Sequence, residues 1–235
     1  MDHGNHPQEP SLPFEPARTV ILACATVIEE MLPHVPADVA CRVLDFGLHI
    51  RPTALKEALQ AAIDALPVAV ETVILGYGLC SQAVVGLRAR DCTLVVPRVD
   101  DCIAIFLGSD AAYRRQQRAE PGTYYLTKGW IEVSDTLLTE YERVVEQYGQ
   151  KRADRVMELM LDNYTRLAYI DTGHQDQARY RAYARRAAET LHLRYEEVVG
   201  SDALVQKMIF GPWDDDFVVA QPGETITYLD FKTES

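Results

Sequence analysis

The sequence predicts an α/β protein: a Rossmann-like parallel sheet with helices on both faces, arranged as two similar α/β halves. Three observations lead there. Short, continuous apolar runs recur along the chain, the pattern of strands buried on both faces. Stretches with apolar residues at helical spacing separate several of them. Proline and glycine fall at the joints between the two kinds of segment.

Each element follows from local signals. Thr19–Cys24 (TVILAC) is the first strand, and 27–32 a short helix ended by Pro33 and Pro36. Residues 39–45 (VACRVLD) form the second strand. Gly47 turns the chain, and Pro52 with Thr53 opens a helix whose Leu55, Leu59, Ile63 and Leu66 share one face until Pro67 stops it. The third strand, 72–75, runs into the turn Gly76-Tyr77-Gly78-Leu79-Cys80. Thr93–Pro97 is the fourth, and a helix capped by Asp101 extends from there to Leu107. Asp110–Ala119 reads as a helix, 123–127 (TYYLT) as a strand, and 134–148 and 151–164 as charged helices parted by Gly149. A second series comprises a strand at 167–171 (LAYID), a helix over 176–191, the strand Arg194–Val199, and a helix introduced by Ser201 that ends at Phe210. Strands at Phe217–Ala220 and 226–231 close it. The expected organisation is a disordered leader over 1–16, with prolines at 7, 10, 13 and 16; an α/β unit over 17–132; and a helical linker with a second α/β unit over 133–235.

Composition narrows the function. The chain has 235 residues, 48% of them hydrophobic and 25% charged, enough to bury a proper core. The 23 Lys and Arg against 35 Asp and Glu give a formal charge of −12. Such a chain is repelled by a phosphate backbone and by an anionic membrane surface, which argues against nucleic acid and membrane as partners. No apolar run approaches the ~20 residues needed to span a bilayer, and the leader lacks the apolar segment of a secretory signal. A cytoplasmic location is expected, with the five cysteines held as thiols or metal ligands rather than disulfides. The charged helices over 133–163 offer either a solvated face or a packing face for a homo-oligomer.

The cysteines divide by position. Cys41 and Cys92 fall at the beginnings of expected strands. Cys24 ends the first strand, Cys80 follows the third and Cys102 follows the fourth. In a parallel sheet the strand C-termini emerge on one edge, where ligands bind. Cys24, Cys80 and Cys102 are therefore expected to meet there. Thiolates are soft ligands for zinc, copper(I) or an iron–sulfur cluster, and three protein ligands leave one coordination position open. A [4Fe–4S] cluster is the first expectation and zinc the alternative. A redox pair of thiols and plain core cysteines remain open, since the spacings match no CxxC-type motif. The helix opening at Cys102 is expected to lower the pKa of that thiol.

Other polar residues reach the same edge. His49 is a candidate fourth ligand or acid/base group, and Tyr77 and Asp101 flank the cysteine turns as catalytic candidates. Asp101 equally suits a helix cap. Arg51, Arg88 and Arg98 are candidate anion-binding residues. Tyr124, Tyr125 and Trp130 can wall a pocket or fill a core. Asp171 and His174 follow the first strand of the second series, where Asp171 is a further binding candidate or an N-cap. Gly76-Tyr77-Gly78 lacks the full dinucleotide fingerprint and reads as a tight turn.

The segments ILACATVIEEM, LDFGLHIRP, ILGYGLC, PRVDDCIAIFLGS, PGTYYLTKGW, YIDTG and FGPWDDDFVV, in that order over residues 20–223, resemble the domain-of-unknown-function family 1638. Family members often carry glycine where this chain has Ala25 and Ser81. The resemblance implies that the positions of Cys24, Cys80 and Cys102 keep cysteine. It also implies an association with corrinoid-dependent methyltransferases. Together these readings give the expected function. The chain is a metal-dependent transferase or lyase, or a handling protein, acting on a small anionic molecule at a three-cysteine site and linked to one-carbon or corrinoid methyl transfer. The alternative is a non-catalytic small-molecule- or corrinoid-binding partner of a methyltransferase, with structural zinc or core cysteines.

Overall fold

The structure of the protein, a computed structural model, describes residues 12–232. The expected leader over 1–16 lies outside the described residues as far as residue 11. Beyond that, Phe14 stacks on Trp213, with ring centroids 5.8 Å apart and planes 6° apart.

In chain order the strands are β1 (Thr19–Cys24), β2 (Ala40–Leu44), β3 (Thr72–Gly76), β4 (Thr93–Pro97), β5 (Thr123–Leu126), β6 (Arg166–Asp171), β7 (Arg194–Val199) and β8 (Phe217–Ala220). The helices are α1 (Ala25–Met31), α2 (Pro52–Asp64), α3 (Cys102–Phe106), α4 (Asp110–Ala119), α5 (Lys128–Val133), α6 (Leu137–Tyr148), α7 (Gln150–Met160), α8 (Gln177–Thr190) and α9 (Ala203–Phe210). The fold is α/β, with a mostly parallel sheet flanked by helices, as the sequence predicts.

The main sheet has the order β2-β1-β3-β4-β8. Its first four strands are parallel and β8 runs antiparallel to β4. From β1 the chain steps outward to β2, then crosses back over β1 to reach β3. Right-handed crossovers of opposite direction put their helices on opposite faces, and the reversal makes a switch point between β1 and β3 at their C-terminal ends. The inner strands β1 and β3 are almost wholly apolar because both their faces are covered, whereas the edge strand β2, with Arg42, is largely exposed. All six residues of β1 and all five of β3 are buried.

The second sheet, β5-β6-β7, is parallel. Its middle strand is shared by two cores. Ala168 and Ile170 pack into the core of the main sheet, whereas the alternate residues Leu167 and Tyr169 pack into a core built with α6, α7 and α8. A period-two alternation of this kind gives each face of β6 a different partner.

The expected boundary at 132/133 does not coincide with the sheets. β5, before it, pairs in the second sheet, and β8, after it, returns to the edge of the first. An apolar run marks a strand but not its partner or direction. One local expectation changes and one helix is new. Residues 226–231 do not form a strand: Thr225 makes a single bridge to Arg88, and Tyr228–Phe231 is a 3-10 turn closed by reciprocal Thr227 and Asp230 hydrogen bonds. Helix α5 had no expectation, being six residues long and containing Gly129; Thr127 caps it by accepting from the Trp130 N–H at 3.3 Å. Among the described residues no helix is long and apolar enough to cross a membrane.

One polar cluster ties the two sheets together. Glu30 of α1 is buried, accepts from Thr172 Oγ1 at 3.0 Å and pairs with His174 Nε2 at 2.8 Å, both beyond β6. Burial raises its carboxyl pKa and the two partners offset part of that rise. Replacing Glu30 by Ala strips two half-buried groups of their shared partner and is expected to cost about 1–3 kcal/mol, with Glu30→Gln keeping part of it. Urea unfolding of the three proteins checks this; equal midpoints would exclude the clamp.

Candidate functional site

The site is built at the switch point. Cys24 is the last residue of β1, and α1 begins at the next residue. β3 continues into Tyr77-Gly78-Leu79-Cys80, and β4 into a turn that ends at Asp101, the cap of α3. The two turns are clasped by backbone hydrogen bonds from Leu79 N–H to Val99 O (2.7 Å) and from Cys80 N–H to Asp100 O (2.9 Å). Gly78 allows this approach: a Cβ there would meet Val99 O at 2.8 Å and Asp101 Cα at 2.9 Å, both backbone atoms that cannot yield.

Beyond the clasp, Cys80, Ser81 and Gln82 all have positive φ, at 45°, 55° and 69°. Three successive L-residues in the left-handed region cost on the order of 1 kcal/mol each or more. Ser81 sits in the middle of this turn.

Cys24, Cys80 and Cys102 stand at the C-terminal ends of three adjacent strands. Burial is the main cause that raises all three thiol pKa values. Cys80 is pushed up to about 12 by burial and by Cys24. Cys102, the first residue of α3, lies well above the ordinary thiol value through burial, then Cys24, Cys80 and Asp101. The expected lowering of Cys102 by its helix is therefore reversed. A five-residue helix has a weak end charge, and burial among like-charged neighbours outweighs it. Cys24 Sγ lies 3.0 Å from Thr26 Oγ1 in a hydrogen bond. Among the described residues no group of three or more His, Cys, Asp or Glu side chains is arranged to hold a metal ion as it stands.

Cys80 and Cys102 line a cavity of about 350 Å³ together with Asp101, His49, Phe46 and Trp130; Cys24 lies behind them at the end of β1. His49 Nδ1 lies 3.0 Å from Phe46 O, and because a carbonyl only accepts, Nδ1 carries the proton. Its Nε2 is then a lone-pair donor, and it is buried with no hydrogen-bond partner. Burial also lowers the His49 pKa, which keeps the ring neutral. Tyr77, 1% exposed, stacks against His49 with centroids 5.8 Å apart. Its hydroxyl has no partner either, and burial and the three thiols raise its pKa. Asp101 caps α3 through the Ile103 N–H (2.8 Å) and accepts from Tyr113 Oη (2.9 Å).

The other candidates lie elsewhere. Arg51 is exposed at the start of α2. Arg88 sits by Gln60, Asp64 and Arg90, at the end of α2 and toward the edge where β3 and β4 begin. Arg98 donates to Phe217 O at 3.2 Å. None of the three lines the thiol cavity. Asp171 is held by Arg181 and by the Gly173 N–H (2.9 Å). Tyr125 lines a larger adjoining cavity. Cys41 lies in β2 opposite Ile21, and Cys92 lies just before β4. Thr26, Phe46 and Tyr113 had no expectation. The Thr two residues after Cys24, at the start of a helix, is the only signal that pointed to any of them.

An α/β chain with three thiols at its switch point is defined by this geometry. The chain belongs to the family described as a protein of unknown function (DUF1638), whose model matches residues 43–209. The matched segment contains Cys80, Cys102 and His49, and Cys24 precedes it. No curated protein matches the chain, and no solved structure does.

Two outcomes are expected. Gly78→Ala forces the clasp apart and should lower stability by about 1–3 kcal/mol, measured by thermal or urea unfolding; an unchanged midpoint would refute the close approach. In metal-free Cys41→Ser/Cys92→Ser protein, only the three site thiols remain. Their pKa values are raised, so iodoacetamide alkylation at pH 7.5 should be roughly a hundredfold slower than for a free thiol. The rate should still climb as pH passes 9. A plateau below pH 8 would contradict the raised values.

Proposed function

We propose that this protein is a metal-dependent transferase or lyase, or a metal-handling protein, whose centre is held by Cys24, Cys80 and Cys102. A [4Fe–4S] cluster is the first occupant and zinc the alternative. The observation that supports the reading is the placement of three thiols at three adjacent strand ends, two of them lining one cavity. The donor set suits such a group. Three soft sulfurs leave one position open, and two buried polar atoms, His49 Nε2 and Tyr77 Oη, lack partners at the same place. Because the thiols are not in a ready-made arrangement, Cys24 must exchange its hydrogen bond to Thr26 for the ligand bond.

Bound there, the group would supply a Lewis-acidic position for a substrate atom. The chain's own residues do the rest. His49 Nε2 accepts or returns a proton at the cavity wall, with its tautomer fixed by Phe46 O. Tyr77 keeps its proton, so its hydroxyl serves as a hydrogen-bond donor rather than as a base. Phe46 and Trp130 limit water. A thiol-redox role is less well supported, because an attacking thiol needs a lowered pKa and some exposure. The link to corrinoid methyl transfer, with a corrinoid protein or methyltransferase as partner, is part of the proposal and rests on the family resemblance. The anionic character expected of the substrate finds no support in the thiol cavity, which no guanidinium lines.

Anaerobically purified protein should carry iron and sulfide with broad visible absorbance, or one zinc without it. Changing Cys24, Cys80 or Cys102 singly to Ser should remove most of the metal, while Cys41→Ser and Cys92→Ser should leave it. Equal metal content in all five variants, by elemental analysis, would end the reading.

A further inference from the structure

The largest cavity has no role in holding the thiols. It measures about 770 Å³ and shares Phe46, Asp101, Ile103 and Trp130 with the thiol cavity, so the two adjoin. Phe46 and Trp130 are joined in its lining by Tyr113, Tyr124, Tyr125 and Tyr164. Tyr113 and Tyr125 stand edge to face, 6.3 Å apart. Among the described residues no Lys, Arg or His lines it, whereas Asp101, Glu120 and Asp135 do. The nearest buried cation is already satisfied: Arg166 donates to Thr123 Oγ1 and Gln116 Oε1, each at 2.9 Å, and pairs with Glu196 at 3.1 Å.

These features select a ligand class. A phosphate or carboxylate entering this cleft would lose part of its hydration, find no cation in the lining and face three carboxylates. Rings, by contrast, stack on aromatic walls regardless of substituent. The amides of Gln117 and Asn163 and the unpartnered Tyr125 hydroxyl offer donors and acceptors to a heteroatom edge. The volume falls in the range that holds a whole drug-sized ligand, too large for a simple alkylammonium ion. We propose that the cleft binds a planar nitrogen heterocycle bearing no anionic group and presents it to the thiol cavity. The second half of the statement rests on the proposed function; the binding does not.

Matched pairs test it. The full chain is titrated calorimetrically with adenosine and with riboflavin, and then with the phosphate ester of each. At least one uncharged compound should bind, and its phosphate ester should bind at least fivefold more weakly. Tyr164 is 41% exposed, so Tyr164→Ala should fold normally. It should weaken binding by roughly fivefold to a hundredfold, the worth of one stacked ring, while Tyr164→Phe retains it. Failure of both uncharged compounds, an ester binding as well as its parent, or an unaffected Tyr164→Ala would each overturn the inference. The Cys102→Ser variant separates the two proposals. Heterocycle binding should survive there, and its survival when the wild-type protein takes up no metal would sink the metal centre alone. A metal-loaded wild type that binds no heterocycle would sink only the present inference.

Discussion

Everything at this site depends on the backbone clasp between the turns after β3 and β4. Two parallel strands lying side by side bring their ends to one edge, but they do not by themselves bring two loop residues into contact. The Leu79 and Cys80 N–H groups do that by using the Val99 and Asp100 carbonyls as if the ladder continued past the strands. Gly78 is the condition for it, since any side chain would strike backbone. The left-handed residues 80–82 are the local cost. Strain of this kind persists only where the surroundings over-determine the backbone, and the clasp on one side and the buried Ala83 and Val84 on the other do so.

The clasp has an electrostatic consequence. It fixes Cys80 beside Cys102, and β1 delivers Cys24 from the adjacent strand. Three thiols removed from water in one place cannot all ionise unless something positive enters with them. The neutral forms are therefore favoured in the protein alone. In the reading proposed above, a metal cation would reverse the balance, because each thiolate it stabilised would also relieve its neighbours, and binding would release protons. The hydroxyl of Thr26 already does a weaker version of this for Cys24, and the pKa of Cys24 is lowered by that bond even as burial raises it.

Much of this was legible in the sequence, for definite reasons. The runs TVILAC, TVIL and TLVVP are apolar on both faces, so their identity as buried parallel strands, and hence the common edge for Cys24, Cys80 and Cys102, followed from pattern alone. The Asp101 cap followed from its place before an apolar segment. What was not legible depends on pairing. FVVA looks the same whether it extends the second sheet or returns antiparallel to β4, and TYYL carries no mark of the sheet it joins. Proximity along the chain is not proximity in space: Arg88 follows Cys80 closely in sequence, yet the turn at 80–86 carries it back toward the opposite edge. Tyr113 was out of reach because its tie to Asp101 comes from the packing of α4 on α3, which no spacing encodes.

The two halves are not two copies of one device. The main sheet supplies the thiols, His49 and Tyr77. The second part of the chain supplies a wall. β5 contributes Tyr124 and Tyr125, and α5 comes close enough to α1 that a Cβ on Gly129 would lie 3.0 Å from Thr26 Cα, the same Thr26 that holds Cys24. Trp130, next in sequence, lines both cavities and meets Phe106 of α3 edge-on, with centroids 5.8 Å apart. The recess is therefore a junction rather than a pocket within one sheet, and it forms only when β6 is buried between both cores. Changes in the second core reach the thiols through β5 and α5, so the stability of that core and the shape of the site are linked by construction.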